Sequence, residues 1–166
     1  MAVAVFDRAS DGTLTQKAGT AGCIVNDASA DITGCDNTGL ALDYAATVTV
    51  SPDGASVYVA SRLSDAVAVF DRASDGTLTQ KAGTAGCIVN DASTDITGCT
   101  NTGLALDTAY SVTVSPDGAS VYVASSVSDA VAVFDRASDG TLTQKAGTAG
   151  CIVNEPSTDI TGCDNT

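Results

Sequence analysis

The stretch SPDGASVYVASRLSDAVAVFDRASDGTLTQ, residues 51–80, alternates turns with strands and recurs at 115–144 with two substitutions. Ser51-Pro52-Asp53-Gly54 is turn chemistry: Pro presets φ, Asp bonds its own backbone and Gly accepts positive φ. Asp75-Gly76 makes a second turn. The segments around these turns are short and rich in β-branched residues: VTV (48–50), SVYVAS (56–61), AVAVF (66–70) and TLTQK (77–81). They read as four strands per unit. No segment shows a 3.6-residue apolar stripe, so the chain reads as all-β.

Working outward, the segment AVAVFDRASDGTLTQKAGTAGCIVN opens at Ala2, Ala66 and Ala130, a spacing of 64 residues. The first two copies differ at seven positions: Ala30/Thr94, Asp36/Thr100, Tyr44/Thr108, Ala46/Tyr110, Thr47/Ser111, Arg62/Ser126 and Leu63/Val127. A fixed period of this length signals one supersecondary unit stacked on its neighbours. The chain divides into repeat 1 (1–65, starting mid-unit), repeat 2 (66–129) and a partial repeat 3 (130–166).

AVAVF and VYVA carry apolar or small residues on both faces. A strand with one wet face alternates, whereas one sandwiched between sheets need not. Small sheets stacked face to face, as in a propeller, are therefore expected. The aromatic at Tyr44 reappears two residues later in the next copy, at Tyr110, which predicts the same strand face. Residues 18–43, between the TLTQK and VTV strands, read as a long Gly-, Thr- and Asp-rich loop ordered by its cysteines.

The chain has 166 residues and a net charge of −13, with 20 acidic residues against seven basic ones and no His. Binding to nucleic acid or an anionic membrane surface, which needs clustered Lys and Arg, is not expected. No run of 18 apolar residues exists to insert into a membrane. Much of the acidity sits in Asp-Gly pairs at 11–12, 53–54, 75–76, 117–118 and 139–140, which marks turns. The six cysteines recur as Cys23/Cys35, Cys87/Cys99 and Cys151/Cys163, and one local disulfide per repeat serves every copy alike. Zinc is the rival, without His or Cys-x-x-Cys to complete a tetrahedral set. Disulfides imply an oxidising compartment, so an extracellular or cell-surface location is expected. Met1 leads straight into repeat sequence with no basic n-region or cleavage site, which suggests a mature fragment, a truncated chain or an incomplete gene.

SPDGASVYVAS at 51–61 and 115–125, followed by DAVAVFDRASDGTLTQ, resembles the repeats of lactonase-like β-propellers, often called YVTN-type repeats. The resemblance implies four-stranded antiparallel blades around a central channel, with VTV innermost and TLTQK outermost. It also implies that members opening sugar lactones use polar and charged groups lining the channel, His, Glu and Arg among them. This chain has no His, its single Glu is Glu155 in a cysteine loop, and Arg8, Arg72 and Arg136 end third strands. About two and a half blades are present, so no ring closes within one chain, and open repeat ends would propagate head to tail.

Other site chemistry is sparse. Asp27, Asp31 and Asp36 with Asn26 and Asn37 offer oxygen ligands for calcium, but lack a named motif and change between copies. No serine nucleophile has an Asp-His partner set, no phosphate loop is present and no Asn-x-Ser/Thr sequon occurs. The four tyrosines read as blade packing. No catalytic, cofactor or metal residue is assigned, and only the six cysteines stand as site residues. The expectation is a non-catalytic extracellular structural or adhesive protein that self-associates into an oligomer or filament. The alternatives are a ligand-binding propeller segment of a larger surface protein, or a lactonase-like hydrolase.

Overall fold

The structure is a computed structural model and describes residues 1–27, 32–91, 96–154 and 160–163. The described residues hold strands and three short 3₁₀ turns, with no α-helix. The second blade shows the whole unit: β6 (Ala45–Val50), β7 (Ser56–Ser61) and β8 (Ala66–Arg72) form an antiparallel meander, with Val59 opposite Val48 and Ala68. The third blade repeats it with β12 (Ala109–Val114), β13 (Ser120–Ser125) and β14 (Ala130–Arg136). The first contributes only the outer part: β1 (Ala2–Ala4), β2 (Phe6–Arg8), β3 (Leu14–Gln16), β4 (Cys23–Asn26) and β5 (Thr38–Gly39).

The outer edge differs from the sequence expectation. In the second blade it consists of β9 (Leu78–Gln80), paired with the end of β8, and β10 (Cys87–Asn90), paired with its start. A 3₁₀ turn at Gly83–Ala85 joins them. Val69 holds both halves: its N–H donates to Gly86 O at 2.9 Å and its carbonyl accepts from Lys81 N at 3.0 Å. A Cβ on Gly86 would lie 2.3 Å from Lys81 O, so only glycine fits the turn. The third blade has the same edge in β15 (Leu142–Gln144) and β16 (Cys151–Val153). The expected long loop therefore contains strand. A fifth strand, β11 (Asn101–Gly103), adds in parallel to β10, as β5 does to β4.

Disulfides join Cys23 to Cys35, Cys87 to Cys99 and Cys151 to Cys163, with Cα separations of 5.5, 5.6 and 5.1 Å. The first two each tie an edge strand to the segment that returns toward the next inner strand.

The second blade is buried on both faces, which explains its unalternating strands. Val57, Val59, Ala66, Ala68 and Phe70 pack toward the first blade with Val5, Ile24 and Leu42. Tyr58, Ala60, Val67, Val69 and Ile88 pack toward the third with Leu106, Val112, Val121, Val123 and Phe134. The blades also exchange polar clips. Gln80 donates to Leu40 O (3.0 Å) and Gly86 O (2.9 Å) and accepts from Leu40 N (2.8 Å), fastening the first repeat's return segment to the second blade. Gln144 does the same for Leu104. The sheets pack face to face in chain order, with no ring closed by the described residues.

Candidate functional site

The connections entering the inner strands and those leaving the second strands meet at one end of the blades. Arg62 N donates to Tyr44 O (3.0 Å), Leu63 N to Asp43 O (3.2 Å), and Asp43 N to Ser64 Oγ (2.9 Å). Among the described residues, every non-glycine residue with positive φ lies here: Ala41, Tyr44 and Asp65, with their counterparts Ala105, Thr108 and Asp129. Such conformations cost about 1–2 kcal/mol each and persist where the surroundings over-determine them. A β-bulge adds to this at the same level. The β6–β7 register slips between Ala45 and Thr47, and the β12–β13 register between Ala109 and Ser111. The extra residues are Ala46 and Tyr110, and a bulge re-aims the side chain it carries.

Tyr110 is thereby brought to Arg62. The Arg62 Cζ lies 5.1 Å from the ring centroid of Tyr44 and 5.6 Å from that of Tyr110, so two aromatic faces flank one guanidinium. Its Nε is buried without a hydrogen-bond partner, and no carboxylate among the described residues forms an ion pair with it. A cation held by rings rather than by a carboxylate keeps its donors for an incoming oxyanion. Asp65 and Asp107 stand at the same end, as acceptors for the Thr108 N–H (2.7 Å) and hydroxyl (3.2 Å). Thr47 Oγ1 accepts from Val112 N at 3.1 Å, locking the two inner strands together beneath the cluster. A cavity of about 380 Å³ adjoins it, lined by Asp43, Leu63, Ser64, Asn26 and Asp27 among others.

The sequence reading passed over this site although its signal was present. Of the seven differences between the copies, five (44/108, 46/110, 47/111, 62/126 and 63/127) fall in the two segments that converge here. Tyr44 is not on a strand, as the two-residue shift to Tyr110 had suggested, but in the left-handed residue preceding β6. Neither Tyr44 nor Tyr110 packs a blade; both are exposed and serve Arg62.

The other candidates are placed elsewhere. Arg136 lies at the opposite end and staples blades: its Nε donates to Tyr58 Oη (2.8 Å), its Nη2 pairs with Asp53 (2.8 Å), and Tyr58 Oη donates to Gly140 O (2.8 Å). Burial raises the Tyr58 pKa, while Asp53 is held well below the carboxylate range by Ser51's hydroxyl, then Ala55 N–H and Arg136. Asn26 Oδ1 accepts from Leu42 N (3.2 Å), which uses it structurally. Asp31 and Glu155 lie outside the described residues. Among the described residues no three His, Cys, Asp or Glu are grouped to hold a metal.

Antiparallel four-strand blades stacked face to face have known counterparts. Residues 1–86 match the family described as lactonase, 7-bladed β-propeller. The chain belongs to that family. Among solved structures it is similar to a proposed 6-phosphogluconolactonase of Bacteroides fragilis (TM-score 0.50, 22% identity, covering 82% of this chain and 30% of that one). A protein from Lactobacillus plantarum is similar at TM-score 0.52 and 22% identity, covering 86% of this chain and 33% of its own. The periplasmic gluconolactonase of Pseudomonas aeruginosa gives TM-score 0.51 and 19% identity, covering 87% and 34%. These identities establish the shared fold, and this chain spans about a third of each structure's length. No curated protein matches it.

Membership in the lactonase family corrects the expectation of a non-catalytic protein. The matched family is described as lactonase, which speaks against a non-catalytic reading. The absence of His, on which that expectation leaned, does not remove polar groups from this end of the blades: Arg62, Asp43, Asp65 and Asp107 are there. The three disulfides, and the lack of any described helix long and apolar enough to cross a membrane, are compatible with a secreted or periplasmic protein.

Proposed function

We propose that this chain forms part of a lactonase-type propeller that opens the lactone of an acidic sugar at the channel end marked by Arg62. The observation that carries the reading is the convergence of five of the seven repeat differences on Arg62, Tyr44 and Tyr110. In otherwise identical repeats, packing positions are free to stay the same, whereas a ligand site at the channel must be asymmetric.

Arg62 would receive the charge that forms on the lactone carbonyl oxygen as water attacks it, the role of a preorganised donor. A nearby carboxylate, with Asp43 at the cavity the best placed, would take a proton from that water and return it to the ring oxygen as the ester C–O bond breaks. One water is consumed and a hydroxy acid leaves. The disulfides support placing this activity outside the cytoplasm.

The test is pH-stat hydrolysis of gluconolactone and its 6-phosphate, corrected for spontaneous opening, with the full chain and Arg62→Ala. Turnover reduced about a hundredfold in the variant is expected, the usual consequence of losing one oxyanion donor. Turnover unchanged by Arg62→Ala, or saturable binding with no turnover, overturns the reading.

A further inference from the structure

The two rings that flank Arg62 reach it by different routes. Tyr44 belongs to the blade of Arg62 itself, and its carbonyl accepts from Arg62 N at 3.0 Å. Backbone pairing within one blade is enough to keep that ring beside the guanidinium. Tyr110 enters with the next blade, on the residue that the β12–β13 register leaves over between Ala109 and Ser111. A bulged residue has no cross-strand partner, so its own ladder does not fix where its side chain points. Its ring centroid nevertheless lies 5.6 Å from Arg62 Cζ.

Two bonds from the second blade hold it there. Asp65 Oδ1 accepts from Thr108 N at 2.7 Å, and Thr47 Oγ1 accepts from Val112 N at 3.1 Å. Thr108 stands two residues before Tyr110 and Val112 two residues after it. The bulge is therefore pinned on both sides to the blade that carries Arg62. Asp65 is itself fixed for this task. It follows Arg62 in the same connection, at φ 49, and its carbonyl accepts from Asn90 N at 2.8 Å, which ties it to β10. Thr47 comes directly after the corresponding bulge in β6, at one of the seven positions that differ between the copies, and Ser111 keeps the hydroxyl there.

We propose that Thr47 and Asp65 are positioning residues that act across the joint between the second and third blades. Each holds a backbone N–H of the Tyr110 segment, and together they set the Tyr110 ring on the second side of the Arg62 guanidinium. A guanidinium flanked on one side can swing about its long side chain. Flanked on both, it is preorganised, with its donors directed to one place. That this serves lactone opening rests on the function proposed above, whereas the placement of the ring does not.

The test reads the Arg62 Nε–H resonance of the full chain by NMR, assigned by its disappearance in Arg62→Lys. Ring currents from two aromatic faces shift a flanking proton upfield, and Tyr110→Leu gives the position with one ring. Thr47→Val and Asp65→Gly should each move the resonance most of the way to that position. Valine has the shape of threonine without its acceptor, and glycine suits the φ of Asp65. Thr47→Ser and Asp65→Asn keep an oxygen acceptor and should leave the resonance in place, a distinction that a merely structural role would not make. Far-UV circular dichroism checks that each variant keeps its sheets. In pH-stat hydrolysis kcat and kcat/KM should fall together, about fivefold, in Thr47→Val and Asp65→Gly, as when an interaction made in the transition state is lost. Hydrolysis absent from every form, with the pattern of resonances intact, overturns the lactone reading and supports this placement. An Arg62 resonance that ignores Thr47→Val and Asp65→Gly overturns the proposal, and so does one that Thr47→Ser and Asp65→Asn move as far.

Discussion

Phe6 and Phe70 occupy the same letter of the same repeat, yet one is 47% exposed and the other fully buried. The neighbouring outer strand differs in the same way, with Leu14 exposed where Leu78 is buried, whereas Ile24 and Ile88 on the following edge strands are both buried. The inner strands show the reverse asymmetry, with Val48 57% exposed and Val112 6%, because the blade before β6 has no described inner strands to cover it. A blade's residues are thus not core by composition. They become core when a neighbour stacks on them, as expected for a quasi-one-dimensional array whose stability is summed from units and joints.

The comparison can be broken most forcefully at the phenylalanines. Phe70→Ala should destabilise by about 4 kcal/mol, whereas Phe6→Ala should cost under about 1 kcal/mol, measured by denaturant unfolding. Equal effects would mean that the first blade's face is covered in solution. The disulfides should behave differently. Cys87→Ser/Cys99→Ser and Cys23→Ser/Cys35→Ser each should cost about 3 kcal/mol, because loop closure acts chiefly on the unfolded chain and both loops have the same length. Here the contrast between blades should vanish, and non-reducing mass spectrometry verifies the pairs.

The side-chain clips come next. Gln80→Ala removes three hydrogen bonds that hold Leu40 and Gly86 and should cost about 2 kcal/mol. Gln16→Ala removes only the bond to Gly22 O and should cost about 0.5–1 kcal/mol. A midpoint series in urea reads both. The smallest contrast is in acid. Asp53 and Asp117 both have depressed folded pKa values, from the hydroxyls of Ser51 and Ser115 first, and Asp53 has Arg136 besides. A folded pKa below the unfolded value of about 3.9 gives stability that is present above it and lost as pH falls through the lower value. Unfolding should therefore set in below about pH 4, with Asp53→Asn flattening the acid limb more than Asp117→Asn. No imidazole exists to add a transition between pH 5 and 8.

The unit itself was readable from composition. The turns at Ser51–Gly54 and Asp75–Gly76, the four strands and the two-faced apolar character of AVAVF and VYVA all follow from local chemistry. The split outer edge was not, because CIVN is too short to declare itself a strand and Gly86 is needed only once Lys81 O lies where its Cβ would be. The channel-end site was half legible. The seven copy differences name Tyr44, Tyr110 and Arg62, but bringing them together takes a β-bulge at Tyr110, a left-handed Tyr44 and the stacking of two inner strands.

By itself, then, the amino-acid sequence determined the blade, its period and the pairing partners available within it, since strand alternation, turn residues and cysteine spacing act over a few residues. The tertiary structure alone decided which copies of an identical side chain are buried, which arginine staples blades and which is left to two tyrosines. Those outcomes depend on what packs against each face, and identical letters carry no information about their neighbours.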